Sequence, residues 1–438
     1  MVISTSETSQ TSASSADPSI AKTVHYQIAI VGGGAAGITT ASMLLKKNNQ
    51  LDVAIIDPSS KHYYQPGWTL TGGGVFQLED TVKPQRDMIP AGATWIQDRV
   101  IKLDPDRNAV ITKEGIEVQY DYLIVCPGIK IDWNLIKGLP EAIGKNGVTS
   151  NYSPKYAPYT WELIQKFSGG NALFTFPNTP IKCGGAPQKV MYMADDVFRS
   201  KFGVRQRSKV MFLTPSSRMF SVPEYSALLE KVVKERAIDV QFRHNLKEIK
   251  GETKEAVFDI FDASGNVVDE VTYKYDMIHV APPQSAPDFI KQSPLATPTN
   301  PYGWVDVDQY TLQHHRYKNV FSLGDASALP TSKTAAAVRK QAPVVAENLL
   351  AFMADKPLNA QYDGYTCCPL ITGYDKTIMS EFSGYTATPT SSFPLNPIKE
   401  RWIMWKMKTT LLPWVYWNRM LKGERFEGDY IKFLQWKQ

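Results

Sequence analysis

Residues 28–37 read Ile-Ala-Ile-Val-Gly-Gly-Gly-Ala-Ala-Gly. The largely apolar run from Val24 to Val31 predicts a first strand, and Ala35 to Lys47 has the spacing of the helix that follows. Leu51 to Ile56 predicts a second strand, ending at Asp57 and Pro58. Gly32, Gly34 and Gly37 fit the pattern GxGxxG. In that pattern the first glycine makes the tight turn. The second lets the backbone approach a pyrophosphate, and the third lets helix and sheet meet closely. Free N–H groups of the helix start, around Ala35 and Ala36, are ready for phosphate. Asp57 follows Gly37 by 20 residues and is placed to accept hydrogen bonds from a ribose. This β-α-β unit predicts a dinucleotide site and a doubly wound α/β sheet.

Working outward, Tyr122 to Val125 predicts a strand closed by Cys126, Pro127 and Gly128. The pattern repeats more weakly in the middle of the chain. Strands are expected at 172–176 and 210–213, and helices at 189–198 and 224–235. A hairpin is expected across Ser264-Gly265-Asn266, with a return strand at 277–280. A strand at 319–323 then leads into Gly324-Asp325 and a long helix from Ala335 to Met353. The expected organisation is a leader at 1–23, a first domain at 24–150, and a second Rossmann-like domain at 151–300. The first domain returns at 301–360, and a C-terminal region covers 361–438.

The second domain lacks a second glycine fingerprint. Its strand at 210–213 runs into Thr214-Pro215-Ser216-Ser217-Arg218. A stiff turn without glycine argues against NAD(P)H as electron donor, so the electrons come from something smaller or from another protein.

The 438 residues are 43% hydrophobic, enough for two domains or more. No stretch of 18 consecutive apolar residues predicts a membrane-spanning helix. A net charge of +5 does not call for nucleic acid. Residues 1–24 are rich in Ser, Thr and Ala, with neither an apolar signal core nor arginine, and read as a disordered leader. The four cysteines, at 126, 183, 367 and 368, form no secreted disulfide scaffold. With no CxxC and no useful histidine cluster, no metal site is expected; His314-His315 reads as a surface pair. Gly184 and Gly185 leave room around Cys183, and Lys189 starts a helix that can point back at it. A neighbouring cation lowers a thiol pKa. A Cys183–Cys368 pair brought together by the fold would cycle between dithiol and disulfide. Burial as a small hydrophobe is the alternative for each cysteine, and the one favoured for Cys126.

Four longer stretches carry a family resemblance: HYYQPGWTLTGGG at 62–74, PIKCGGAPQKVMYMADD at 180–196, SLGDASALPTSKTAAA at 322–337 and DGYTCCPLITGY at 363–374. In these the chain resembles the sulfide:quinone oxidoreductases from about residue 24 on, most like the type II group that includes the mitochondrial enzymes. The resemblance implies a glutathione-reductase-like fold of two dinucleotide-binding domains with FAD in the first. It implies Cys183 and Cys368 as the redox pair, Cys368 carrying persulfide sulfur and Cys183 facing the flavin as thiolate, with Lys189 steadying that charge. Cys367 stands where relatives commonly have serine, and Cys126 does not match the third reactive cysteine of type I enzymes. Gln65, Pro66, Gly128, Gly324, Asp325 and Lys340 join the glycine turn as flavin contacts, with Lys340-Gln341 on the pyrimidine side. The substrates implied are hydrogen sulfide, a membrane quinone, and a small thiol, sulfite or cyanide that takes the sulfur. Homo-oligomerisation stays open. A type II NADH:quinone dehydrogenase is the runner-up; it needs an NADH site and has no use for the cysteines.

The C-terminal stretch 399–438 holds five of the ten tryptophans (402, 405, 414, 417 and 436) and nine Lys or Arg against four acids. Aromatic and basic side chains favour the headgroup level of a bilayer. Two short helices split by Pro413 are expected to lie in that interface. The protein is therefore read as peripheral and non-secreted, on the cytoplasmic face of a membrane or on an organellar inner membrane. Phe382, Tyr385 and Phe393 are candidates to line a quinone ring.

Overall fold

The computed structural model describes residues 20–385, 387–392 and 394–425. The leader up to residue 19, Phe393 and Trp436 lie outside the described residues. The chain opens with strand β1 (Lys22–Val31), turns into helix α1 (Ala35–Lys47) and returns as β2 (Val53–Ile56). β3 (Ala93–Ile96) and β4 (Ile116–Val125) follow. The middle of the chain supplies β5 (Gly170–Thr175), α2 (Ala186–Ser200), β6 (Ser208–Thr214), α3 (Pro223–Glu235), β7 (Asp239–Phe242) and β8 (Met277–His279). The chain returns through β9 (Val320–Ser322) and α4 (Ala335–Met353), then forms the hairpin β10 (Thr366–Gly373) and β11 (Lys376–Ser383).

The first sheet is parallel in the order β3-β2-β1-β4-β9, with a meander of 100–104 and 109–112 on the amino-terminal half of β4. Its register places Ile30 between Ile55 and Ile124. Val53–Ile56 is buried at every position, as a parallel strand covered on both faces requires. The second sheet is also parallel, in the order 148–149, β8, β5, β6, β7. The expected hairpin at Glu255–Phe261 and Val267–Lys274 joins His244–Lys250 in an antiparallel sheet. β9 returns to the first sheet 195 residues after β4 ends, so the second domain is an insertion into the first.

Two expectations are corrected. Pro413 does not split the C-terminal stretch. Residues 402–420 stay helical, with α turns at Trp402–Lys406 and Leu412–Val415 and wider π turns at Met407–Leu411 and Tyr416–Met420. The wider i→i+5 pairing before Pro413 accommodates a residue that has no N–H to donate. His314 is not on the surface: it is buried, and its Nδ1 accepts from the N–H groups of Arg316 and Tyr317, so only His315 is exposed.

Candidate functional site

The glycine turn after β1 is built for close approach. Gly32 has φ +108°, and a Cβ there would lie 2.4 Å from the Cys126 carbonyl oxygen. A Cβ on Gly37 would lie 1.9 Å from the Gly32 oxygen. Gly34 and Gly128 differ, because a Cβ on either would meet nothing within 4 Å. They border open space, and the start of α1 at Ala35 and Ala36 carries no side-chain cap. The Gly33 N–H donates to Asp57 Oδ2 at 2.7 Å and the Ser59 N–H to Oδ1 at 2.8 Å. Burial raises the Asp57 pKa, and those two N–H groups oppose the rise. Pro58, beside it, is exposed.

On the far side, Gly324 (φ +73°) sits over Ala36 and donates its N–H to Gln341 Oε1 at 2.8 Å. The neighbouring Lys340 has its Nζ 5.3 Å from the Tyr365 ring centroid, so Gln341 is the side chain that reaches this turn. Burial raises the Asp325 pKa, and the charges of Lys333 and Lys182 oppose that. Burial presses both lysines down to about 8. Open glycine faces, an uncapped helix start and a buried carboxylate within the field of two lysines fit the phosphates and hydroxyls of a dinucleotide.

The sulfur chemistry is assembled where the second domain meets the C-terminal hairpin. Cys183 lies in the loop before α2, held in a left-handed conformation (φ +54°) by its N–H to the Lys333 oxygen at 2.9 Å. Cys368 lies within β10 and is fully buried. Their sulfurs are 2.7 Å apart. Gly185 makes this possible, because a Cβ there would lie 2.1 Å from Leu370 Cδ2 and 3.3 Å from Cys368 Sγ. Its N–H donates to Cys368 Sγ at 3.4 Å. Lys189, one turn into α2, donates to Cys183 Sγ at 3.2 Å. The Cys368 thiol and then the Lys189 charge hold the Cys183 pKa well below its ordinary value. Cys368 moves the opposite way, raised by its bond to Cys183 and by burial. Burial presses the Lys189 pKa down, but the adjacent thiolate outweighs it and keeps the ammonium charged. The pair is thus polarised, with the charge on Cys183.

The other cysteines face elsewhere. Cys367, one strand position from Cys368, belongs to the first domain's core, and burial and Glu381 raise its pKa. Cys126 is buried against the Gly32 oxygen, and its pKa is raised by burial. Gln65 Oε1 accepts from Lys182 Nζ at 2.6 Å, and the Pro66 oxygen accepts from Lys408 Nζ at 2.9 Å. Both residues therefore border the cysteine site.

Lys408 is one of the nine basic residues of 399–438 that composition assigns to the bilayer interface. It is 2% exposed, and burial and Lys189 press its pKa to about 7. A lysine in a basic, aromatic stretch gives no local sign of such burial. Gln85, whose Nε2 donates to the Gly33 oxygen at 2.8 Å, was also missed, because no motif marks it. Phe382 is buried against Phe220, and Tyr385 packs on Tyr310 and Tyr362.

In the second domain, the turn after β6 spends its N–H groups locally. Ser216 N–H donates to Thr214 Oγ1, Arg218 N–H to Ser216 Oγ, and Met219 and Phe220 N–H to Ser226 Oγ. Four donors of this turn are therefore engaged by its own side chains. Among the described residues no group of three or more His, Cys, Asp or Glu is placed to hold a metal ion.

Residues 26–157 match the family model described as pyridine nucleotide-disulphide oxidoreductase. The chain is 46% identical to a mitochondrial sulfide:quinone oxidoreductase of Mus musculus, over 91% of this chain and 87% of that one. It is 49% identical to a mitochondrial sulfide:quinone oxidoreductase of Dictyostelium discoideum, over the same shares of the two chains. In fold it matches the solved sulfide:quinone oxidoreductase of Aquifex aeolicus, with a TM-score of 0.77, 21% identity and coverage of 94% of each chain.

Proposed function

The chain belongs to the sulfide:quinone oxidoreductases, and from that membership we propose how its own residues divide the work. The enzyme oxidises sulfide and delivers two electrons to a quinone. The observation that carries the assignment of residues is the 2.7 Å approach of Cys183 and Cys368 with Lys189 Nζ at 3.2 Å from the former.

Starting from the Cys183–Cys368 disulfide, hydrosulfide attacks Cys368 Sγ. A new S–S bond leaves Cys368 as persulfide, the old one breaks, and Cys183 departs as thiolate. Lys189 favours this direction, because its charge stabilises the leaving sulfur. A small nucleophile (a thiol, sulfite or cyanide) then attacks the outer sulfur and carries it away, leaving Cys368 as thiol. The dithiol has gained the two electrons of sulfide; closing the disulfide again releases them with the thiol proton. FAD is the flavin the cradle suits, and when bound it supplies the two-electron station between dithiol and quinone. Gly32, Gly34, Ala35, Ala36, Gly37, Asp57 and Pro58 take its adenosine and pyrophosphate side. Gly128, Gly324, Asp325, Gln65, Pro66 and the Lys340-Gln341 corner border the remainder. The domain limits that go with this reading are 24–150 and 301–360 for FAD, 151–300 for the second domain and 361–438 for the quinone and membrane region.

The relatives' mitochondrial location suits a peripheral seat on an organellar membrane. No helix of the described residues is long and apolar enough to cross a bilayer. The exposed Trp402, Ile403 and Trp414 offer an apolar surface for such a seat.

The test is anaerobic mixing of the purified protein with sulfide, followed by decylubiquinone. Sulfide should bleach the flavin band and quinone should restore it. Cys368→Ser should abolish sulfide turnover while leaving flavin bound. Bleaching by NADH at the sulfide rate, or full turnover in Cys368→Ser, would overturn the assignment.

A further inference from the structure

We propose that the C-terminal helical segment secures the flavin, through a hydrogen-bonded chain that runs from Tyr416 to the dinucleotide turn. This rests on the reading of that turn as an FAD site. Tyr416 is buried against the rings of Tyr64 and Trp417. Its hydroxyl lies 2.7 Å from His62 Nε2. His62 Nδ1 lies 3.1 Å from Gln85 Oε1, and Gln85 Nε2 donates to the Gly33 oxygen at 2.8 Å. Gly33 N–H completes the chain on Asp57 Oδ2 at 2.7 Å.

The direction of every bond follows from its neighbours. Gln85 gives an N–H to Gly33, so its oxygen faces His62 and needs a donor. Burial presses the His62 pKa to about 4, so the ring is neutral and carries one N–H. That proton sits on Nδ1, and Nε2 accepts from Tyr416. The tautomer is assigned from this network.

The consequence falls on the two peptide planes that flank Gly33. The Gly33 peptide nitrogen is held by Asp57 and its carbonyl by Gln85. In a planar trans peptide the C=O and the following N–H point opposite ways. Fixing the Gly33 oxygen therefore aims the Gly34 N–H away from Gln85, on the residue whose face is open. A Cβ at Gly33 would lie 2.3 Å from Gln85 Nε2, so only glycine admits this clamp.

The segment has a second anchor that does not touch the turn: Ser42 Oγ on α1 donates to the Leu421 oxygen at 2.8 Å, also buried. This supplies the control. FAD release from the holoenzyme can be followed as recovery of flavin fluorescence after dilution. Release should quicken about fivefold in Tyr416→Phe and about tenfold in Gln85→Ala, the scale of one buried hydrogen bond lost. The double variant should release no faster than Gln85→Ala alone, and Ser42→Ala should stay within about twofold of wild type. An unchanged rate in Tyr416→Phe, an equal rise in Ser42→Ala, or multiplying effects in the double variant would overturn the proposal. Should Gln85→Ala not fold, Tyr416→Phe against Ser42→Ala decides alone. A wild-type protein that takes up no FAD would overturn the cofactor reading itself, and this inference with it.

Discussion

At the scale of single residues, Lys189 adds its charge to the Cys368 hydrogen bond in placing the negative charge on Cys183. It is buried, it donates to Cys183 at 3.2 Å, and the thiolate it faces keeps it protonated. Replacing it by methionine keeps the packing volume and removes the charge. The Cys183 pKa should then rise, because the adjacent opposite charge that favours the thiolate is gone. Because the native pKa is depressed, thiolate is present above the lowered value and disappears below it. The rate of alkylation by iodoacetamide should therefore follow pH with its midpoint moved upward in Lys189→Met, and Lys189→Arg should restore most of the shift. An unmoved midpoint would mean that Cys368 alone sets the charge. Cys183 and Lys189 are legible in sequence because a cation six positions away falls one helical turn inside the helix that the loop feeds. Lys408 is not, since its burial is decided by how the whole C-terminal segment lies on Tyr64 and Pro66.

At the scale of elements, the distance between the two sulfurs is a property of α2 and β10. The two are tied at the end away from the cysteines by Arg236. Its Nη1 donates to Asp195 at 2.9 Å and to Asp196 at 2.7 Å, both on α2, and its Nη2 donates to the Thr372 oxygen on β10 at 2.7 Å. Asp196 also accepts from the Tyr374 N–H at 2.8 Å. Arg236→Gln should cost roughly 2 to 3 kcal/mol in unfolding free energy, because charged acceptors lose a buried donor. It should also make the Cys183–Cys368 disulfide easier to reduce, measured by equilibration against a glutathione couple. Arg107→Gln, which breaks the ion pair with buried Glu117 in the first domain, should lower stability without moving that equilibrium. If both variants shift it alike, general loosening and not the clamp is responsible. The elements themselves were largely legible. Ala35–Lys47 and Ala335–Met353 have the ends expected, and the short apolar strands fall where parallel sheets bury both faces. The misses are of one kind: β4 begins six residues earlier than Tyr122, because its amino-terminal half alternates as it pairs with the antiparallel meander. Likewise Pro413 reads as a break only when the π turn before it is not foreseen.

At the scale of the molecule, the C-terminal segment has two faces with different tasks. One is spent inside the protein: Trp405 and Trp417 are buried, Tyr416 meets His62, and Lys408 reaches the cysteine site. The other holds Trp402 at 56% exposure, Ile403 at 47% and Trp414 at 48%. Composition marks the stretch as aromatic and basic, but only tertiary packing separates the tryptophans that fill the core from those left exposed. Lys406 lies over the Trp402 ring at 5.4 Å and Arg419 over Trp414 at 5.6 Å, so each exposed indole carries a cation beside it. That is the arrangement expected at anionic headgroups, with the ring at the acyl boundary and the charge in the phosphate layer. Removing one such ring should weaken binding to vesicles of phosphatidylcholine with cardiolipin by about tenfold, taking 1.5 kcal/mol as the lower bound for burying a large apolar side chain. Trp402→Ala with Trp414→Ala should lower it further, as read by co-sedimentation. Neither ring contributes to the cysteine site or to the core, so reduction of the flavin by sulfide should be unchanged in the double variant. So should turnover with a water-soluble short-chain quinone, whereas turnover with a long-chain quinone embedded in vesicles should collapse. Loss of both quinone activities together would instead place the two indoles at the quinone site, and vesicle binding equal to wild type would remove this face from the membrane altogether.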